Sequence, residues 1–113
     1  MTEEVIFAII LHAGNARAEA YDGLRAAQAG DFPKAAGHLA AAEAEISAAH
    51  RVQADMLQQE AQGKKTDISL LIVHAQDHLM TALAEKTLIE NMVEMHKTIR
   101  QLTDKLEAVT CQE

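Results

Sequence analysis

The chain is poor in the residues that build β-sheets and tight turns. Among its 113 residues, aromatic side chains make up 3%, Trp is missing, and there are one Pro and five Gly. A β-sandwich or barrel needs more β-branched and aromatic residues and more turn residues than this. Ala, Leu, Glu, Gln, Met and Lys dominate instead, and these are good helix formers. The composition therefore predicts an all-α fold.

Cysteine and basic residues are also scarce. Cys111 is the lone cysteine, so the chain offers neither an internal disulfide nor a thiolate zinc site. Ten Lys and Arg against seventeen Asp and Glu give a net charge of −7, which argues against nucleic acid as the partner. The longest apolar run, residues 5–11, is far shorter than a membrane span. With one cysteine and an acidic N-terminus unlike a signal peptide, we expect a cytoplasmic protein.

Two breaks divide the chain into three helices within one domain, residues 1–113. The segment 30–33, Gly-Asp-Phe-Pro, suits a helix end followed by Asp31 as the N-cap of the next helix. The segment 62–67 contains Gly63, which suits a helix end, and Thr66 or Asp67 can cap the helix that follows. The predicted helices span about 3–29, 32–62 and 67–109. Short connections favour an antiparallel, up-down-up three-helix bundle.

The third predicted helix has two apolar faces. At 100° per residue, one face contains Leu70, Val73, Met80 and Ala84, and the opposite face contains Ile68, Leu71, Ala75, Ala82 and Ile89. A bundle of this size covers only one of them, so we expect the other to pack against further copies of the chain. Asp77 lies within the first face, where a carboxylate is costly unless it is paired, protonated or bound to a cation.

A polar flank separates the two faces and contains His74, His78, Thr81 and Glu85. His74 and His78 at positions i and i+4 leave two chemistries open. One is zinc binding, since His-Ala-Gln-Asp-His is similar to an inverted metalloprotease motif with Asp for Glu, although no acidic third ligand is evident. The other is phosphoryl transfer through histidine, because imidazole is a good nucleophile near neutral pH and its phosphoramidate hands the group on. A non-catalytic helical oligomerisation or adaptor module is the alternative to both.

Residues 73–81, Val-His-Ala-Gln-Asp-His-Leu-Met-Thr, resemble the active-site helix of the lactose/cellobiose-type IIA components of the bacterial phosphoenolpyruvate-dependent sugar phosphotransferase system. Supporting matches are Asn-Ala-Arg at 15–17, Gly-Asp-Phe at 30–32 and Ala-His at 49–50. The resemblance covers nearly the whole chain. It implies a homotrimer of three-helix bundles.

The resemblance also implies the roles of the motif residues. His74 would be phosphorylated on Nε2 by the carrier protein HPr and would pass the group to the cysteine of a IIB component, with the IIC membrane component importing the sugar. Asp77 would lie on the trimer axis, where three copies share one Mg²⁺. His78 and Gln76 would support the reaction. Ala75 favours the cellobiose or chitobiose branch over the lactose branch, but the sugar itself is not encoded in these residues.

Overall fold

Three α-helices make up almost all of the described chain. The structure, a computed structural model, describes residues 3–65 and 67–111. The helices are α1 (Glu3–Gln28), α2 (Phe32–Ala61) and α3 (Leu70–Thr110). The prediction of an all-α three-helix bundle is confirmed. None of the described helices has the length and hydropathy needed to cross a membrane.

Side-chain pairs between helices give the direction of each one. On α1 and α2, His12 pairs with Glu45 at 2.6 Å and Glu19 pairs with His38 at 2.7 Å, so numbers rise along one helix as they fall along the other. The pairing of α2 with α3 has the same sense. In contrast, α1 and α3 run parallel, since Arg17 contacts Thr81 and Gly14 lies against His78. The order is therefore up, down, up.

The connection from α1 to α2 forms as the sequence predicts. Gly30 has a φ of +82°, a left-handed conformation that glycine adopts at little cost after a helix. Asp31 is the N-cap of α2, and its carboxylate accepts a hydrogen bond from the backbone N–H of Lys34 at 3.2 Å. Pro33 occupies the first turn, where a missing N–H has no helical partner to lose.

The start of α3 differs from the prediction. The helix begins at Leu70 rather than near residue 67, because the side chain of Ser69 caps it by accepting from the backbone N–H of Ile72 at 3.3 Å. Asp67 lies before the helix, and Thr66, the other cap candidate, lies outside the described residues. Ile68, expected on the core face, precedes the helix and is 86% exposed, so that prediction was wrong.

The core is built largely from alanine, which lets the helices approach closely. Its buried members are Ile6, Ile9, Ala13, Ala16, Ala20, Ala26, Ala27, Ala35, Ala42, Ile46, Ala49, Ala75, Leu79, Ala82, Ile89 and Val93. Lys86 is buried as well and bridges α2 and α3 through Glu43 at 2.5 Å and through Glu90. Burial by itself lowers the Lys86 pKa, but hydrogen bonds to the two carboxylates outweigh it and raise that pKa above its ordinary value.

One face of α3 has no cover within the chain. We call it the exposed α3 stripe; it consists of Leu70, Val73, Asp77, Met80, Ala84, Leu88, Asn91, Met95, Ile99, Leu102, Leu106 and Val109. The molecule is 73 Å long and 20 Å wide, and the last turns of α3, from residue 101, are exposed on all sides. The predicted second apolar face therefore exists, and it continues to the end of the helix.

Candidate functional site

His74 lies on the side of α3 next to the exposed stripe, in the second turn of the helix. Its side chain is exposed, and its ring stacks on the ring of His78 with centroids 5.7 Å apart and planes inclined by 14°. Stacking fits the i, i+4 spacing, which places the two side chains one above the other. His74 is thus held on a rigid helix with its ring open to an incoming group.

Arg17 of α1 reaches across to the polar flank and joins three of its residues. Its Nη1 lies 3.3 Å from Nδ1 of His78, its Nη2 donates to the hydroxyl of Thr81 at 2.6 Å, and its Nε donates to Glu85 at 2.5 Å. The hydroxyl of Thr81 in turn donates to the backbone carbonyl of Asp77 at 2.9 Å. The polar flank is therefore a connected network that spans α1 and α3.

This environment keeps the His78 ring neutral at physiological pH. Burial and, after it, the charge of Arg17 and the neighbouring His74 ring lower the pKa of His78, and they prevail over Asp77 and Glu85, which raise it. Because the pKa lies below its ordinary value, the ring binds a proton only in acidic solution. His78 therefore offers one N–H and one lone pair rather than a positive charge.

The other two predicted site residues, Gln76 and Asp77, lie outside the polar flank that contains His74. Gln76 is half-buried on the α2 side of α3, where its side-chain oxygen accepts from the amide of Gln53 at 2.7 Å. Asp77 is exposed within the α3 stripe, and no hydrogen bond or ion pair reaches its carboxylate from residues 3–65 and 67–111. The structure thus brings His74 and His78 together and separates both from Gln76.

A group of metal-ligand type occurs elsewhere in the bundle. Ligand atoms of Glu19, Asp22 and His38 lie within 4.8 Å of one another on α1 and α2. Asp22 is already bound by Arg25 at 2.5 Å, and Glu19 by His38. Asp77 is not part of this group.

Sequence reasoning left Arg17 and Gly14 without a role. Arg17 was visible only as part of the Asn-Ala-Arg match, because its contact with Thr81 spans 64 residues and depends on the packing of α1 against α3. A Cβ built on Gly14 would lie 3.6 Å from Nε2 of His78, so this glycine borders the ring without covering it. A periodicity argument cannot find such a contact, since it treats each helix alone.

Taken together, the site presents an exposed imidazole beside a second, neutral imidazole fixed by an arginine. An exposed histidine of this kind can take an electrophilic group from one protein and give it to another.

Both the sequence and the fold of the chain are similar to those of known proteins. The family model described as "PTS system, Lactose/Cellobiose specific IIA subunit" matches residues 4–97. The lichenan-specific phosphotransferase enzyme IIA component of Bacillus subtilis strain 168 is 43% identical over 99 residues, covering 88% of this chain and 90% of that protein. The crystal structure of the cellobiose-specific enzyme IIA of Bacillus anthracis superposes with a TM-score of 0.86 at 39% identity, over 89% of this chain and 94% of that one. The chitobiose IIA of Escherichia coli, solved as a complex with HPr, superposes with a TM-score of 0.77 at 36% identity, over 87% of this chain and 95% of that one.

Proposed function

The chain belongs to the lactose/cellobiose-specific IIA family of the sugar phosphotransferase system, and on that premise we propose that it is a phosphocarrier working through His74 in the cytoplasm. His74 accepts a phosphoryl group from phospho-HPr and passes it to the active-site cysteine of a IIB component, while the IIC component imports the sugar. The observation that carries the proposal is the exposed His74 ring, stacked on His78. His78 and Gln76 take supporting roles, with Gln76 acting through the α2 contact.

The proposed transfer balances in protons and charge. The Nε2 lone pair of His74 forms a P–N bond as the P–N bond to the donor histidine breaks. The donor ring, protonated on its other nitrogen, leaves as neutral imidazole, and His74, which keeps its Nδ1 proton, becomes the phosphorylated imidazolium. In the second step a cysteine thiolate takes the phosphoryl group, and His74 returns to neutral imidazole.

An apolar patch on α1 is the proposed docking surface for the donor. Phe7 and Leu11 are 54% and 61% exposed and lie on the same face of α1 as Gly14, which borders His78. Because Arg17 contacts Thr81 and Gly14 lies against His78, Leu11 lies at the same height along the bundle as Ala75 and His74. A phosphoryl group adds roughly two negative charges to an already acidic chain, so the docking proteins should not be acidic at this face.

The direct test is phosphorylation with purified components. Incubation with phosphoenolpyruvate, enzyme I and HPr should add one phosphoryl group per chain, stable in alkali and labile in acid, as a phosphoramidate is. A Leu11→Glu variant should gain it roughly tenfold more slowly, because the substitution removes apolar contact and the new carboxylate repels the negatively charged phosphoryl group of the donor. Ala36→Glu is the control, since Ala36 is exposed near the start of α2, at the opposite end of the bundle from Leu11. A wild-type protein that gains no phosphoryl group contradicts the proposed function.

Assembly as a homotrimer is part of the proposal. The exposed α3 stripe runs along a 41-residue helix, and small domains seldom leave an apolar face of this length in water. Its members recur at intervals of three and four residues, the spacing with which helices pack along a common axis. His74 would then lie at the edge of the interface between two copies.

Light scattering should therefore give a mass of about 37 kDa, three times the 12.3 kDa chain mass. A polar substitution in the stripe, Met80→Glu, should shift the mass toward that of the monomer, because the new carboxylate would have to be buried at the interface. Glu94→Gln, an exposed change off the stripe, should leave the trimer intact. A wild-type monomer at micromolar concentration would exclude the trimer.

One Mg²⁺ per trimer, shared by three copies of Asp77, completes the proposal. The carboxylate fits this role, since it is exposed on the stripe and carboxylate oxygens are ligands that Mg²⁺ prefers. The cation would offset the repulsion among the three carboxylates and takes no part in phosphoryl transfer.

A further inference from the structure

The guanidinium of Arg17 fixes the hydrogen-bonding state of His78. An arginine side chain carries only donors, whereas a neutral imidazole carries one N–H and one lone pair. Since Nη1 of Arg17 lies 3.3 Å from Nδ1 of His78, Nδ1 must be the acceptor. The ring proton of neutral His78 is therefore on Nε2.

We propose that Arg17 is a positioning residue that holds His78 as the Nε2–H tautomer, so that His78 donates a hydrogen bond to the phosphoryl group on His74 and cannot accept that group itself. The inference deepens the proposed function and rests on it. His78 donates through Nε2 without giving up its proton, so the balance of the transfer is unchanged.

The network leaves His74 as the nucleophile of the stacked pair. Both nitrogens of His78 are engaged, one by Arg17 and the other by its own proton, so neither presents a free lone pair. His74 is exposed, with its ring 5.7 Å from that of His78. This difference assigns different roles to two neighbouring histidines on the same flank of α3.

The position of Arg17 is itself over-determined. Its Nε donates to Glu85 and its Nη2 donates to Thr81, while the Thr81 hydroxyl donates onward to the backbone. Each of the three guanidinium nitrogens thus donates to a partner, which fixes the guanidinium plane relative to α3. Gly14 borders Nε2 of His78, and any larger residue there would place its Cβ 3.6 Å from that nitrogen.

The test combines a spectroscopic signature with a rate, both at an alkaline pH where the rings are neutral. In wild-type protein, ¹⁵N–¹H spectra should show His78 protonated on Nε2. In Arg17→Met, Nδ1 is free to donate to Glu85 or Thr81, so the proton should move toward Nδ1. Loss of the hydrogen bond to the phosphoryl group should slow its acceptance on His74 by roughly tenfold.

Controls separate this role from general damage. Arg25→Met removes another α1 arginine that is in an ion pair, with Asp22, and should leave the His78 tautomer and the rate unchanged. Arg17→Lys keeps the charge but not the planar guanidinium, and it should restore neither the wild-type His78 tautomer nor the wild-type rate. If Arg17→Met fails to fold, Arg17→Met/Glu85→Gln, which leaves no unpaired carboxylate, takes its place.

An unchanged tautomer and rate in Arg17→Met would overturn the inference, as would full rescue by lysine. Both outcomes leave the proposed function standing. A wild-type protein that accepts no phosphoryl group would instead refute the proposed function, and the spectra would still report the His78 tautomer.

Discussion

A His74→Gln variant should fold and assemble as the wild type does but should accept no phosphoryl group. Glutamine has no lone pair nucleophilic enough to form the P–N bond, and His78 cannot substitute while Arg17 occupies its Nδ1. The structural effect should be small, because His74 is exposed and replacements at such positions usually change stability by about 0.5 kcal/mol or less. The measurement is the phosphoryl content after incubation with phosphoenolpyruvate, enzyme I and HPr, together with a thermal melt.

His96→Gln is the matched control, since His96 is also on α3 but lies at the far end of the bundle, near Gly30. It should accept phosphoryl at the wild-type rate. His78→Gln should still be phosphorylated, more slowly, because it retains the nucleophile and loses a donor. If phosphorylation survives in His74→Gln and disappears in His78→Gln, then His78 is the phosphoryl acceptor and the proposal is wrong.

Replacing Asp77 by leucine should give a trimer that melts at a higher temperature. Asp77 sits among apolar members of the exposed α3 stripe, and no partner for its carboxylate occurs among the described residues of one chain. Trimer formation would bring three such carboxylates together in a poorly solvated layer. Replacing buried charged clusters with apolar side chains of similar volume is often neutral or stabilising, by about 1–4 kcal/mol.

The melt is run with and without chelator. Wild-type protein should lose stability when the cation is removed, whereas Asp77→Leu should not respond, because a bound ion stabilises only the state that holds it. Phosphorylation should survive, since Asp77 and His74 are about 60° apart around the helix at 100° per residue. Asp55→Leu, at an exposed α2 position, should not raise the melting temperature. If Asp77→Leu dissociates into monomers, Asp77 holds the trimer together, and the prediction that it destabilises the trimer is wrong.

The fold could be predicted from the sequence because its signals are local. Gly30 and Asp31 mark a helix end and a helix start through their own backbone and side chain, and both act as expected. At the start of α3, Asp67 and Ser69 are equally plausible caps by residue type. Only the structure shows that Ser69 makes the bond to Ile72, which leaves Ile68 outside the helix.

The candidate site was predictable only in part, for a related reason. The order of His74, Asp77 and His78 around α3 follows from helical geometry alone, so the polar flank and the exposed stripe could be separated in advance. The contact of Arg17 with His78 depends on how α1 is placed along α3, and Gln76 pairs with Gln53 for the same kind of reason. The hydrophobic periodicity of one helix does not predict which residues it contacts on another helix.

The length of α3 has a practical consequence for spectroscopy. Cys111 is the only cysteine, it is exposed, and it directly follows the helix that carries His74. At 1.5 Å per residue the two positions are about 55 Å apart. A fluorophore or spin label on this thiol therefore reports on the association of subunits without lying close to the His74 imidazole. If the α3 helices of an assembly are parallel and in register, the labels would lie close together. If the helices are antiparallel, the labels would be separated by most of the molecule's length.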